Sequence, residues 1–327
     1  MINWFRSGSP YTLLVLLLYT LVLKSWFLFH PAGPVVHPAS DGMLYNWILS
    51  LLRGRWQGSG WVLLAQGLLF LQALGINRLS NHFRLFPKNT YFPAMCYLLF
   101  SSFFREWNYF SAPLLVNTLM VGLLFLLISL YAAPDGRGKV FNAGFFIGLM
   151  MLVYTPACIF LLLLWLALVI NRPFKIVEWV MAVVGILTPL YFLGTWLFLT
   201  DRWVGAVQLP AFSLDYPHLA KAYLPAAAIL VMLVVFLYGL LRMQQHFFKL
   251  LIQIRKVWSL LLVYIFLALL PAFFGHPFTY HGWVLALVPL SAFFANACWN
   301  IRRPLVANIL HGILILGVLT LQYGGML

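Results

Sequence analysis

The chain has 327 residues, of which 64% are hydrophobic and only 8% are charged, and its net charge at pH 7 is +14. A soluble globular protein carries about 25% charged residues, so this composition excludes that class. It predicts an all-α protein that crosses a membrane many times. In such a protein a positive balance indicates Lys and Arg collected in cytoplasmic loops, so nucleic acid is not an expected partner.

Eleven hydrophobic runs predict eleven membrane spans, which we expect to form one domain over residues 1–327. The first run follows a short segment with Arg6. Its length and the poor cleavage sequence HPAGP predict a retained span rather than a signal peptide. Lys24 lies near its outer end, where we expect the ammonium group to reach the interface. The runs are residues 11–29, 61–77, 91–104, 109–131, 140–153, 157–170, 178–199, 223–241, 257–274, 281–299 and 304–323.

The distribution of charge predicts the orientation of these spans. If the N-terminus is cytoplasmic, the cytoplasmic segments contain fourteen Lys and Arg residues and the outer segments contain five. The positive-inside rule therefore predicts a cytoplasmic N-terminus and an extracytoplasmic C-terminus. Most of the acids then lie on the outer side, where we expect any chemistry that needs carboxylates. These acids are Asp41, Glu106, Asp201 and Asp215.

The stretch from His30 to Trp56 is the first outer segment, and it carries Asp41. Apolar residues behind this acid recur at helical spacing, with polar residues on the opposite face, which predicts an amphipathic helix in the membrane interface. The apolar positions are Leu44, Trp47, Ile48, Leu51 and Leu52. Gly42 is expected to leave room for a substrate beside the carboxylate. Asp41 also suits a turn or the N-cap of the helix.

The run from 140 to 153 is about 14 residues long, which is roughly 21 Å of helix against a hydrocarbon core of about 30 Å. It ends at Tyr154, Thr155 and Pro156 before the next run begins. Proline interrupts a helix, and irregular backbone at membrane depth needs protein or water around it. We therefore expect two short helices here, facing an outer cavity.

Three further outer loops carry side chains suited to chemistry at a membrane surface. These side chains are Arg105 and Glu106 in the second loop, Arg202 in the fourth, and His276, Tyr280 and His281 in the fifth. Carboxylates can take protons, cations can bind an anionic head group, and aromatic rings suit sugar faces or the interface. Two alternatives stay open: Glu106 and Arg105 form a salt-bridged turn, and the histidines are hydrogen-bonding groups of the interface.

The order of these elements resembles the membrane core of GT-C type glycosyltransferases over most of the chain. The resemblance is carried by the outer acid before an amphipathic helix, the basic connection NRLSNHFRLFPKNTY, the acidic loop REWNYF, the YTP break and the late loop HPFTYHGWVLALVPLSAFFA. It implies transfer of a sugar from a polyprenyl-phosphate carrier at the outer face of a bacterial inner membrane. The chain also resembles a bacterial inner-membrane family without an assigned activity.

This resemblance implies that Asp41 is the catalytic base, and Glu106 is a second candidate catalytic residue. Arg105, Arg202 and His276, with His281 and Tyr280, are expected to bind the lipid phosphate or the substrate. No cofactor is expected. A divalent metal stays open as an alternative, but the first loop has one acid rather than a pair, so no paired-acid motif supports it. No soluble acceptor-binding domain is expected either.

Three function classes follow from these patterns. The leading prediction is a lipid-linked glycosyltransferase whose partners are membrane lipids and the polyprenyl-phosphate donor. The second is a non-catalytic subunit of a larger envelope complex, which would have membrane-protein partners. The third is a transporter, which is disfavoured because His311 is the one ionisable residue near the middle of a predicted span.

Overall fold

The computed structural model describes residues 2–38, 40–52, 56–201, 223–273, 280–301 and 303–323, and these residues form helices and no β-strand. Helices suit so apolar a chain because each satisfies its own backbone N–H and C=O groups. The α-helices are α1 (Ile2–Arg6), α2 (Tyr11–Leu23), α3 (Ser25–Phe29), α4 (Met43–Leu52), α5 (Gly58–His82), α6 (Phe92–Ser101), α7 (Ala112–Ser129), α8 (Arg137–Val153), α9 (Phe160–Asn171), α10 (Ile176–Leu199), α11 (Tyr223–His246), α12 (Ile252–Leu269), α13 (Leu287–Asn300) and α14 (Pro304–Tyr323). The predicted all-α class is confirmed.

Seven helical segments among the described residues are long and apolar enough to cross a membrane, judged by length and composition. They are Gly58–His82, Ala112–Ser129, Ile176–Leu199, Pro225–Lys249, Ile252–Phe273, Tyr280–Asn300 and Leu305–Tyr323. Four predicted spans fall instead on α2, α6, α8 and α9, which have 13, 10, 17 and 12 residues. A perpendicular crossing takes about 20 residues. The helical membrane character is confirmed, and the count of eleven stays a prediction.

The two local features predicted around the first outer loop are present. Helix α4 forms behind Asp41, and its buried face consists of Tyr45 and Leu49, while Trp47 and Leu51 are exposed. Helix α8 ends at Val153, and Tyr154 takes an extended conformation with φ −144° and ψ 108° before a 3-10 helix leads into α9. The YTP sequence therefore interrupts the helix as expected.

Lys24 does not reach the interface, so this prediction is wrong. Its side chain is 1% exposed, and the ammonium group donates to the Ser101 hydroxyl at 3.1 Å and to the Asn108 side-chain oxygen. Helix α2 ends at Leu23, and Lys24 sits at the junction with α3, which turns the side chain inward. The polar groups beside the 3-10 turn Arg105–Asn108 satisfy the ammonium there.

Helices α2 and α14 lie side by side. The rings of Tyr19 on α2 and His311 on α14 stack with centroids 5.6 Å apart. Further along, the hydroxyls of Ser25 and Tyr323 are 3.0 Å apart. Residues from the beginning and the end of the chain therefore close the bundle together.

Helices α8 and α10 pack with their backbones in direct contact. A Cβ atom at Gly144 would lie 2.4 Å from the Ala182 carbonyl oxygen, and one at Gly185 would lie 2.2 Å from the Phe141 carbonyl oxygen. Gly144 and Gly148 form a GxxxG pattern, in which small residues allow close approach of helices in a membrane. This contact fixes α8, whose end carries Tyr154.

A buried ion pair joins the loops at the other end of α8. The Arg172 guanidinium meets the Glu178 carboxylate at 2.5 Å and 3.2 Å, and the two side chains are 7% and 4% exposed. Arg172 also donates to the carbonyls of Leu130 and Ala133. One cation thus holds the end of α7 and the start of α10 together.

Helix α5 separates two ends of the molecule. Its first residue, Gly58, packs against the Pro31 carbonyl, and its last turn meets the segment that contains Asn89. With 25 residues, α5 is about 37 Å long. We call the side with Pro31 the Asp41 end and the side with Asn89 the Arg84 end.

Candidate functional site

The loop that carries Asp41 is fastened to the break between α8 and α9. The Gly42 N–H donates to the Val153 carbonyl at 2.8 Å, and the Thr155 N–H donates to the Ser40 carbonyl at 3.0 Å. Asp41 and Tyr154 thereby form an isolated antiparallel bridge. The extended conformation of Tyr154 makes this pairing possible, since a helical backbone would have used these groups internally.

Gly42 has a different role from the one predicted. A Cβ atom at this position would lie 2.1 Å from the Leu152 carbonyl oxygen and 2.8 Å from the Val153 carbonyl carbon. The missing side chain therefore serves close contact with the end of α8. The prediction that Gly42 leaves room for a substrate is wrong, because that space is filled by backbone.

The Asp41 carboxylate is buried and held from the preceding turn. The residue is 7% exposed, and its Oδ2 accepts a hydrogen bond of 2.5 Å from the His37 N–H. Burial raises the pKa of Asp41 to about 7, and the hydrogen bond from His37 opposes this rise. At neutral pH the carboxyl group therefore populates both protonation states, which suits a general acid or base.

Three further titratable side chains are connected to the Asp41 loop through His37. The rings of His37 and His281 meet edge to face with centroids 4.8 Å apart, and His281 Nε2 lies 3.8 Å from Glu106 Oε2. We call His37, Asp41, Glu106 and His281 the Asp41 cluster. The loops around Glu106 and His281 are far apart in sequence, and both are thus brought to the loop that carries Asp41.

The cluster contains polar atoms that no described group satisfies. His37 Nε2, His281 Nδ1 and Glu106 Oε2 are buried without a hydrogen-bond partner. An unsatisfied buried polar group costs about 1–3 kcal/mol, so such atoms are rare and tend to mark functional positions. Burial raises the pKa of Glu106 and lowers the pKa of His37. The cluster can therefore exchange protons and hydrogen-bond a polar ligand.

The predicted catalytic residue Glu106 lies at the edge of this cluster. Its side chain is 40% exposed although its Oε2 is buried, so one face of the carboxylate meets the surface. Its Oε2 lies 3.8 Å from Nε2 of His281, and a hydrogen bond from the Tyr280 backbone opposes the rise of its pKa that burial causes. The Tyr280 carbonyl in turn accepts from the Trp107 indole at 2.7 Å. Two of the three predicted residues of the fifth loop, Tyr280 and His281, therefore adjoin Glu106.

Arg105 is directed elsewhere. Its guanidinium donates to the Gln322 carbonyl and lies 5.2 Å from the ring centroid of Trp26. The described contacts of Arg105 and Glu106 thus favour separate roles over a salt-bridged turn. Two other residues predicted to bind the lipid phosphate, Arg202 and His276, lie outside the described residues, as does the rest of the loop that follows Asp201.

The sequence pattern did not single out His37. Its only signal was the position four residues before Asp41 in HPASD, where a turn returns the backbone N–H to the acid. The contact with His281 joins positions separated by more than 200 residues and has no local signature.

The described residues include no group of three or more His, Cys, Asp or Glu side chains placed to hold a metal ion. What the site contains is two carboxyl groups with raised pKa and two imidazoles, next to the amphipathic helix α4. Comparison of the chain with protein-family models, with curated proteins and with solved structures finds no match.

Proposed function

We propose that this protein is a GT-C-like membrane glycosyltransferase that moves a sugar from a polyprenyl-phosphate-linked donor at the extracytoplasmic face. The observation that supports this proposal most is a carboxyl group with a pKa of about 7 just before the amphipathic helix α4. A general base works best when its pKa is near the operating pH. Few structural carboxyl groups have such a value, and perturbed pKa values concentrate at functional sites.

The proposed step uses Asp41 as the base. The carboxylate takes the proton of the acceptor hydroxyl, and the acceptor oxygen bonds to the anomeric carbon of the donor. The bond between that carbon and the phosphate oxygen breaks, and polyprenyl phosphate leaves with the electron pair. Glu106, adjoining His281, is the second catalytic acid and can supply a proton to the leaving phosphate. The exposed Trp47 and Leu51 of α4 suit a site at the lipid surface.

The proposed topology has eleven crossings, a cytoplasmic N-terminus and an extracytoplasmic C-terminus in a bacterial inner membrane. Single cysteines at Asp201 and at Arg137, both exposed, test it in a variant without the native cysteines. An impermeant thiol reagent added to intact cells should label the cysteine at 201 and leave the one at 137 unlabelled until the cells are opened. Labelling of both from outside would refute the orientation and the proposed location of the site.

A second candidate function is a non-catalytic subunit of a larger envelope complex. Asp41 is buried and bonded to its own loop, and Arg105 is engaged by Gln322 and Trp26. These contacts favour a structural role for the same residues. The partners would then be membrane proteins.

A strain that lacks this chain separates the two candidates. If the protein transfers a sugar, we expect its polyprenyl-phosphate-linked donor to accumulate in lipid extracts analysed by mass spectrometry, with loss of the corresponding envelope glycan. A wild-type copy should reverse both changes. The enzymatic function would be refuted if the pool of lipid-linked donor stayed unchanged. Co-purification of the tagged chain with other membrane proteins would then support a role as a non-catalytic subunit.

A further inference from the structure

A basic pocket lies at the Arg84 end, far from the Asp41 cluster. It has a volume of about 580 Å³, and its lining combines Arg84 and Lys88 with the apolar side chains of Phe86, Leu250 and Ile254. Arg84, Lys88 and Phe86 belong to the connection between α5 and α6. Leu250 lies two residues before α12, and Ile254 lies in its first turn. A cationic wall thus faces an apolar one.

The cations of this pocket are available to a ligand. Arg84 and Lys88 are exposed, and within the described residues neither forms an ion pair. The connection from 77 to 91 contains no acid. Asp135, just before α8, and Glu178, in the first turn of α10, already face Arg137 and Arg172. The pocket therefore attracts an anion.

The apolar wall continues onto the surface beside the pocket. Leu251 and Ile252, next to Leu250, are 72% and 57% exposed, and Phe248 is more exposed still. A soluble anion would need no such surface. Long apolar side chains beside paired cations fit the junction of a phospholipid, where the acyl chains meet the phosphate.

The conformation of Arg84 adds an independent observation. Its φ is +52°, in the left-handed region that favours glycine. A side chain other than glycine in this region has a conformational cost of about 1–3 kcal/mol and persists where something else requires it. Arg84 therefore occupies the one described position of this connection where glycine would have a lower conformational cost.

A second pocket adjoins the first and shares Asn89 with it. It has a volume of about 440 Å³ and is lined by polar side chains, among them Asn77, Arg78 and His82. The side-chain oxygen of Asn77 is buried and has no hydrogen-bond partner within the described residues. This oxygen can accept from a hydroxylated head group whose phosphate lies in the first pocket.

We propose that the pocket between Arg84, Lys88 and Leu250 binds the phosphate of an anionic phospholipid with a hydroxylated head group. The acyl chains lie along Leu250 and its exposed neighbours, and the head group extends toward Asn77. This site is independent of the glycosyltransferase proposed above, since it lies at the opposite end of α5.

Native mass spectrometry of the purified full chain in detergent tests the proposal. Phosphatidylglycerol and phosphatidylcholine with identical acyl chains are titrated separately, and we expect phosphatidylglycerol to bind more tightly. Each cation near an anionic lipid contributes about 1 kcal/mol, so the double variant Arg84→Gln/Lys88→Gln should bind phosphatidylglycerol about 30-fold more weakly. The control Arg137→Gln/Lys175→Gln removes two exposed cations elsewhere and should bind as the wild type does.

The variant Arg84→Gly distinguishes loss of the binding site from loss of binding through misfolding. Glycine relieves the left-handed conformation, so its melting temperature should equal or exceed that of the wild type while lipid binding weakens. Equal binding of the two lipids, or unchanged binding in the double variant, would overturn the proposal. Full competition by soluble glycerophosphate would also overturn it, because the site would then recognise a free phosphate rather than a lipid.

Discussion

Replacing Asp41 with asparagine is expected to reduce sugar transfer by a factor of about 10² to 10⁴, the usual cost of removing a general base. Asparagine keeps an oxygen that can accept from the His37 N–H, so the loop and its bridge to Tyr154 should remain. The measurement is the amount of polyprenyl-phosphate-linked donor that accumulates when the variant replaces the wild-type chain. The variant should resemble the deletion strain.

The same substitution should change how stability depends on pH. The pKa of Asp41 is raised from 3.8 to about 7 in the folded protein, so the folded state holds a proton that the unfolded state releases between these values. The contribution of Asp41 to the free energy of unfolding is therefore complete below pH 4 and is lost as the pH rises to 7. One pKa unit corresponds to about 1.4 kcal/mol, so Asp41→Asn should be more stable than the wild type by up to about 4 kcal/mol above pH 7. Melting temperatures measured from pH 4 to 9 report this difference.

Asp135→Asn is the matched control for both measurements. Asp135 is an exposed acid that faces Arg137, and no contact links it to the Asp41 cluster. Its variant should transfer sugar normally and keep the pH dependence of the wild type. Normal transfer by Asp41→Asn would remove Asp41 from catalysis and favour the subunit. A flat pH profile in the wild type would instead contradict the burial of the carboxyl group.

Arg172→Ala should have the largest effect on stability, a loss of about 3–5 kcal/mol in the free energy of unfolding. The substitution leaves the Glu178 carboxylate buried without its cation, and it removes the donor to the carbonyls of Leu130 and Ala133. Removing both charges destabilises a protein less than removing one and leaving the other buried without a partner. The double variant Arg172→Met/Glu178→Gln should therefore recover part of the loss. Denaturant unfolding in detergent micelles measures it.

The pair Asp135 and Arg137 gives the comparison that isolates burial. Its charged groups are 3.7 Å apart, and the side chains of Arg137 and Asp135 are 60% and 72% exposed. Arg137→Ala should cost less than about 1 kcal/mol, since water screens an exposed pair. If the two arginine variants lose similar stability, the buried pair is not what holds the α7, α9 and α10 loops together.

The sequence was most informative where structure depends on neighbours along the chain. Every predicted hydrophobic run became helix, because apolar composition and internal hydrogen bonding are local. The break at Tyr154 and the amphipathic helix α4 were predicted from proline and from helical spacing for the same reason. How many of the short helices cross the membrane depends on tilt and packing, which periodicity does not encode.

The candidate site was accessible to sequence only in part. Asp41, Glu106 and His281 were expected at one surface because acids and polar loops alternate with spans. Their approach to one another depends on how the loops fold, and the contribution of His37 depends on a backbone hydrogen bond. Lys24 illustrates the limit: its polar partners are 77 and 84 residues away, so local pattern pointed to the lipid surface.

The contact between helices α2 and α14 has a consequence for biosynthesis. Ser25 and Tyr323 are 298 residues apart in the chain. At a synthesis rate of about 5–20 residues per second, roughly 15–60 s separate the emergence of α2 from that of its neighbour α14. During that interval lipid or the insertion machinery must cover the side of α2 that carries Tyr19. The contact between α2 and α14 forms only after α14 has been inserted.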